Sequence, residues 1–185
     1  PLKKMGAEFK NTTGKLPLNI IGKKLTNSNI TVEIPSAQIK SGLILAAINT
    51  QGLSKIIEKN VTRDHTEIML KSFGANINIE KKEGERIITI NGKKELISNN
   101  IDVPSDLSSS AFLMVAALIN KGSSIYMKNI NINPSRDGIL IALKKMGAKI
   151  IVKNQRLLAG ELVADLEVGY SELRGCELNP EIAKL

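Results

Sequence analysis

The chain has 185 residues with one Cys, one His and no Trp, which excludes a disulfide framework and leaves too few soft ligands for a conventional structural zinc site. No apolar run approaches the roughly 20 residues a membrane-spanning helix needs, and the N-terminus lacks the layout of a signal peptide, so the sequence reads as a soluble, cytoplasmic protein with no membrane partner. Net charge is +8, of which +7 lies before Ile101 (16 basic against 9 acidic residues), a field that attracts anions of any size; the 3% aromatic content argues against a surface that stacks nucleic-acid bases in series.

Leu2-Lys3-Lys4-Met5-Gly6-Ala7 opens the chain as the last turns of a helix with neither a start nor a cap, so the beginning reads as cut. Residues 29–34 form an entering strand. Residues 36–48, rich in Ala and Leu and apolar on most faces, follow Pro35-Ser36 and predict a buried helix, closed by Gly52. Lys55-Ile56-Ile57-Glu58 is a short β-branched strand. A second helix spans about 64–73, with Asp64-x-x-Glu67 as a capping box and Gly74-Ala75 as its stop. Asn76-Ile77-Asn78-Ile79 and Arg86-Ile87-Ile88-Thr89-Ile90 alternate with period two around a turn at Lys82-Glu83-Gly84-Glu85. A strand at 99–103, a buried helix at 108–119, a strand at 124–127 and a helix at 137–146 repeat the series. Glu181-Ile182-Ala183-Lys184-Leu185 reads as the start of another helix or strand, so the end also reads as cut.

The repetition is explicit. Leu2-Lys3-Lys4-Met5-Gly6-Ala7 recurs as Leu70-Lys71-Ser72-Phe73-Gly74-Ala75 and as Leu143-Lys144-Lys145-Met146-Gly147-Ala148, and Asn60-Val61-Thr62-Arg63-Asp64 recurs as Asn133-Pro134-Ser135-Arg136-Asp137. Each repeat of about 70 residues is a βαβαββ unit with one sheet face that needs covering. The fold class is α/β (α+β): repeated βαβαββ units packed around shared buried helices. A domain crossing falls in the polar Ser98-Asn99-Asn100, giving parts 1–101 and 102–185.

Two helix starts hold the candidate chemistry. Ser36-Ala37-Gln38-Ile39-Lys40-Ser41 offers a hydroxyl and unpaired backbone N–H groups at the positive end of a helix, a place for phosphate or carboxylate; Ser36 equally serves as a plain N-cap. Arg63 stands before the second helix, where a guanidinium binds an oxyanion bidentately or pairs with Asp64. His65 reads as a helix-start surface residue rather than a general base, and Cys176 as inert. Ser108-Ser109-Ser110 and Arg136-Asp137 repeat the two arrangements, as anion-facing turn or as caps. The sequence contains no Gly-x-Gly-x-x-Gly, no phosphate-binding Lys loop, no carboxylates paired at helix spacing apart from the capping-box pair Asp64 and Glu67, and no zinc or calcium pattern.

Pro35-Ser36-Ala37-Gln38-Ile39-Lys40-Ser41-Gly42-Leu43 and Thr62-Arg63-Asp64-His65-Thr66-Glu67-Ile68-Met69-Leu70 with Phe73-Gly74-Ala75 resemble segments of the 5-enolpyruvylshikimate-3-phosphate synthase (3-phosphoshikimate 1-carboxyvinyltransferase) family. Val103-Pro104-Ser105-Asp106-Leu107-Ser108-Ser109-Ser110-Ala111-Phe112 and Asn133-Pro134-Ser135-Arg136-Asp137-Gly138 resemble two more, in the same order, so the match runs the length of the chain. Ser105 stands where the family usually has Gly, and Thr62 where many members have Ser.

The resemblance implies a two-lobed enolpyruvyl transferase, an inside-out α/β barrel in each lobe, with 1–101 in the second lobe and 102–185 in the first. It implies the transfer of enolpyruvyl from phosphoenolpyruvate to the 5-hydroxyl of shikimate 3-phosphate, in aromatic amino acid biosynthesis, without cofactor or metal. Ser36 and Ala37 would bind the 3-phosphate, Gln38 would lie against the ring and the incoming group, and Arg63, with Thr62, would bind the same substrate; Lys40 is a weaker member of that set. The family's glycine-rich segment and lysine, its arginine and its acidic catalytic motif fall outside these residues. No catalytic acid or base is therefore expected within the chain, which would carry part of an active site, act alone with little or no turnover, and complement another fragment of the same enzyme. The alternatives are a UDP-N-acetylglucosamine enolpyruvyl transferase, against which the Ser-Ala-Gln and Thr-Arg-Asp-His-Thr runs argue, a non-catalytic remnant, and a basic nucleic-acid-binding module.

Overall fold

Each recurring Gly-Ala pair stops a helical turn. Gly6, Gly74 and Gly147 all take left-handed φ (94°, 79° and 93°), a conformation that strains any residue with a Cβ and that ends the turn at the same point of each repeat. The computed structural model describes residues 1–10, 13–180 and 182, and its chain falls into two units, Pro1–Asn99 and Asn100–Leu185. Of the final pentapeptide expected to begin a new element, all but Ile182 lie outside the described residues.

In the first unit a 3-10 turn (Leu2–Met5) precedes a small antiparallel pair, β1 (Glu8–Phe9) with β2 (Ile20–Ile21). Then come β3 (Asn29–Val32), α1 (Ala37–Ile48), β4 (Gly52–Glu58), α2 (His65–Ser72), β5 (Asn76–Lys82) and β6 (Glu85–Gly92). Their sheet has the order β3-β4-β6-β5, with β3 parallel to β4 and the other pairs antiparallel. The β5–β6 turn puts Glu83 (φ 49°) and Gly84 (φ 83°) both in the left-handed region, as a tight hairpin of right-twisted strands requires. Ile56, Ile88 and Ile90 present the buried face of the sheet to Leu43, Ile44 and Ala47 of α1. The close approach is enforced at Gly92, where a Cβ would run into the Thr50 and Ala47 carbonyls at the end of the helix.

The second unit repeats the order as α3 (Leu107–Ile119), β7 (Ser124–Asn131), α4 (Gly138–Lys145), β8 (Lys149–Leu158) and β9 (Glu161–Gly169), with an antiparallel sheet β7-β9-β8. The strand expected at 99–103 does not form. Pro104 has no N–H to give a ladder and Val103 is 85% exposed, so the pairing shrinks to a single parallel bridge between Ser105 and Ile130. The helix expected from Ser108 starts one residue earlier, at Leu107, because Asp106 takes the cap: its carboxylate accepts from the Ser109 N–H at 2.7 Å.

Both helices predicted as buried keep an apolar face in solvent: Ile39 and Leu45 on α1, and Phe112 (80% exposed), Leu113 and Ile119 on α3. Among the described residues, no helix is long and apolar enough to cross a membrane, and no cluster of three His, Cys, Asp or Glu side chains is placed to hold a metal ion.

One carboxylate organises the second sheet. β7 and β8 each bulge against β9, and Asn129 and Asn154 inside the bulges adopt φ of 55° and 50°. Asp165 on β9 faces both: it accepts from the Asn154 side-chain amide (3.0 Å), the Asn129 backbone N–H (3.0 Å) and the Tyr126 hydroxyl (2.9 Å). Those donors, led by Asn154, hold its carboxyl far below the usual carboxylate range. A group depressed on folding stabilises above its unfolded value of about 3.9 and loses that contribution as pH falls. Asp165→Asn is therefore expected to lower the melting temperature at pH 7, and the gap from the parent chain should narrow as the pH drops below about 4; thermal unfolding of both proteins from pH 7 to pH 3 checks it. Asp106→Ala, which removes the α3 cap, should cost about 1 kcal/mol in chemical denaturation.

Candidate functional site

α1 starts after an extended Ser36 whose Oγ accepts from the Ile39 N–H at 3.3 Å, the N-cap arrangement. The hydroxyl hydrogen is still free to donate, because a serine oxygen accepts and donates at once. Ala37 is half-buried behind it and Gln38 is exposed, both in the first turn, where backbone N–H groups have no partner within the helix.

Lys40 is placed differently from the expectation that it meets substrate. It is fully buried. A helical side chain leans back toward its own N-terminus, and the Lys40 ammonium reaches the Arg63 carbonyl (2.7 Å), the Thr62 carbonyl (3.3 Å), Glu67 Oε1 (2.9 Å) and Glu58 Oε2 (3.3 Å). Four oxygens from three segments surround it, and none of its surface faces solvent.

The acids around Lys40 come from strand periodicity and from α2. Ser54, Ile56 and Glu58 alternate onto the buried face of β4, and Arg86, Ile88 and Ile90 onto that of β6, so the register that pairs Ile56 with Ile88 also sets Glu58 opposite Arg86. The face is apolar at one end and ionic at the other. Arg86 reaches Asp64 Oδ2 (3.3 Å), Glu67 Oε1 (3.7 Å) and the Thr62 carbonyl (3.4 Å). Thr62 donates its hydroxyl to Glu58 Oε1 at 2.5 Å and its N–H to the same oxygen at 3.2 Å. Ser41 and Thr66 join α1 to α2 through a 2.6 Å hydroxyl contact.

The capping box expected at Asp64 and Glu67 is absent. Asp64 makes no side-chain cap bond and turns to Arg86, while Glu67 is fully buried beside Lys40. A cap would leave two buried cations with one carboxylate between them, so the interior claims both acids. His65 is half-buried as the first residue of α2. Cys176 is an exposed free thiol.

Arg63 stands apart from this network. Its carbonyl is held by Lys40, but its side chain is exposed and, among the described residues, has no ion pair or hydrogen bond, so the expected alternative of pairing with Asp64 is not realised. Its repeat counterpart behaves in the opposite way. Arg136 donates to Ser108 Oγ at 2.7 Å and pairs with Asp106 Oδ1 at 3.0 Å, beside a cleft of about 390 Å³ lined by Ala111, Gly138, Ile139 and Leu178 among others. The Ser109 N–H and hydroxyl, and then Arg136, hold the Asp106 carboxyl below its ordinary value. Ser109 and Ser110 also donate their hydroxyls to Asp106 oxygens, so all three serines of the run are engaged within the protein. Burial pushes the Asp137 carboxyl up.

Sequence reasoning missed the ionic cluster, although the signal was present. Glu58 and Arg86 lie in phase with the buried isoleucines of their strands, and charged residues at such positions announce a buried pair.

Comparison with known proteins agrees with this architecture. Residues 1–179 match the family model described as EPSP synthase (3-phosphoshikimate 1-carboxyvinyltransferase). The 3-phosphoshikimate 1-carboxyvinyltransferase of Pseudomonas sp. (strain PG2982) is 46% identical over 187 residues, covering 99% of this chain and 41% of the relative; that of Zymomonas mobilis is 44% identical, covering 98% and 41%. The solved EPSP synthase of Acinetobacter baumannii superposes with a TM-score of 0.87 at 36% identity, over 100% of this chain and 42% of that one. The chain spans about two fifths of the length of the relatives it matches. Its alternation of helices and sheets is that of the enolpyruvyl transferase fold, and the chain belongs to the EPSP synthase (3-phosphoshikimate 1-carboxyvinyltransferase) family.

Proposed function

We propose that the chain supplies the shikimate 3-phosphate side of an active site for enolpyruvyl transfer from phosphoenolpyruvate. The observation that carries this reading is the exposed Arg63 guanidinium, unpaired among the described residues and held by its backbone to α1 four residues past a neutral cap. A phosphate at that helix N-terminus meets the Ser36 hydroxyl, the N–H groups of the first turn with Ala37, and the positive end of the helix dipole. Gln38, exposed in the same turn, lies against the ring and the incoming enolpyruvyl group. Thr62 contributes through position, since its hydroxyl is bound to Glu58.

In the reaction, the 5-hydroxyl of shikimate 3-phosphate loses its proton and adds to C2 of phosphoenolpyruvate as C3 takes a proton, and the tetrahedral adduct then loses phosphate from C2 and a proton from C3 to restore the double bond. Two anions must be held together while charge moves between them, which asks for preorganised cations and N–H donors. Ser36, Ala37, Gln38 and Arg63 hold one anion; the acid, the base and the grip on phosphoenolpyruvate come from other parts of the full enzyme, whose lobes of repeated units form barrels with 1–101 in the second and 102–185 in the first. A complementary fragment of the same enzyme is the partner this reading calls for.

Isothermal titration of the 185-residue chain with shikimate 3-phosphate should show binding that Arg63→Ala weakens by about tenfold or more, since a hydrogen bond to a charged group contributes about 1.5–3 kcal/mol. A parent chain that shows no heat with shikimate 3-phosphate, or an Arg63→Ala chain that binds it equally well, overturns the assignment. In a coupled phosphate assay with both substrates the chain alone should release none above background; sustained release would show that it carries a complete site.

A further inference from the structure

We infer that Lys40 is a positioning residue, whose buried ammonium fixes the Thr62-Arg63 backbone to the first turn of α1 and leaves the exposed Arg63 side chain open to a ligand; the inference rests on the substrate-binding role proposed for Arg63.

The two units provide an internal comparison. Lys40 lies four residues after the cap Ser36, and Ser110 lies four after the cap Asp106. Glu58 lies five residues before Arg63 and pairs across the sheet with Arg86; Asn131 lies five before Arg136 and pairs with Val163. Glu67 lies three residues into α2 from Asp64, and Leu140 lies three into α4 from Asp137. The Lys, Glu, Arg and Glu of the first unit are thus Ser, Asn, Val and Leu in the second, and both make helix, strand, helix and hairpin in the same order. The repeat therefore folds without a buried ionic cluster.

Burying four charged side chains is unfavourable unless each is paired, and apolar residues of like volume do the structural task as well or better. The cluster must then be explained by where its bonds go. Lys40 and Arg86 both donate to the Thr62 carbonyl, Lys40 makes its shortest contact to the Arg63 carbonyl, and Glu58 takes both the N–H and the hydroxyl of Thr62. Five bonds converge on two consecutive residues, the second of which carries the unpaired guanidinium. In the second unit Arg136 is fixed by its own side chain, through Asp106 and Ser108. An arginine that must stay open for a ligand cannot be held that way, and the first unit holds its backbone instead.

The test uses the 185-residue chain in two variants. Lys40→Met with Glu67→Gln removes the ammonium and one carboxylate together, leaving the net charge of the cluster unchanged. The second variant, Lys40→Ser, Glu58→Asn, Glu67→Leu and Arg86→Val, installs the residues of the other repeat. Asp165→Asn, in the second unit and outside the cluster, controls for lost stability alone. Hydrogen exchange at the Thr62, Arg63 and Asp64 amides and titration with shikimate 3-phosphate are the readouts. The expected result is a folded chain with faster exchange at those amides and affinity reduced by about tenfold or more, because small misplacements of a binding group are costly, while Asp165→Asn keeps parental affinity. Unchanged exchange and affinity in a folded variant overturn the inference. Failure of both variants to fold also overturns it, by making the cluster a folding requirement. If the parent chain does not bind shikimate 3-phosphate, the proposed function fails, and exchange at residues 62–64 still decides whether Lys40 positions Arg63.

Discussion

The Lys40 ammonium, enclosed by two backbone carbonyls and two carboxylates, ties together two helices, a strand and a connecting loop of the first unit. It belongs to α1, its acids to β4 and α2, and its carbonyls to the connection between them. Removing one partner from such a group leaves an unpaired buried charge, which costs about 3–5 kcal/mol, so the members stand or fall together. The sheet register is part of the same constraint. Sliding β4 by one residue against β6 would turn Glu58 outward along with Ile56, and the apolar core and the ionic end would be lost in one step.

The first unit thus joins two kinds of interior across one sheet. Isoleucines near the α1 side hold the layers together without direction; the charged end supplies direction, since hydrogen bonds to named carbonyl oxygens fix a loop where apolar contact would only cover it. The second unit reaches directional control by another route, through Asp165 and the two asparagines in its bulges. Its polar pins therefore sit at irregular points within the sheet, whereas those of the first unit sit where a helix begins.

Much of this was legible in the sequence, for a physical reason. Gly-Ala stops and period-two isoleucine runs express local rules, the left-handed φ after a helix and the pleat of a strand, and the structure places α1, α2, β5 and β6 close to where those rules put them. One failure is long-range and the others are local. Asp64 and Glu67 have the spacing of a capping box, and only the tertiary approach of Arg86 and Lys40 draws them inward. The strand expected at 99–103 has suitable β-branched residues but meets Pro104 before it can pair. The short pair β1 and β2 carries no periodicity at all, two residues on each side being too few to show one. At the candidate site, the cap at Ser36 was legible from its place before a helix, while the burial of Lys40 was not, because α1 is apolar on nearly every face and gives no inner side on which to place a lysine.

A single position decides what each helix N-terminus can receive. Ser36 and Asp106 are both caps, and each accepts an N–H from the residue three positions on. Serine does so as a neutral group and, among the described residues, leaves the positive end of the helix dipole and the guanidinium after the next strand without a counter-charge. Aspartate brings the counter-charge itself: the Asp106 carboxylate stands where a bound anion would, taking the helix N–H on one oxygen and Arg136 on the other. The α3 start thus holds its own oxyanion between a helix N-terminus and an arginine, whereas the α1 start is capped by a neutral hydroxyl. The α1 start also falls in the part of the chain that carries +7 of the +8 net charge, so the long-range field and the local donors favour the same class of ligand.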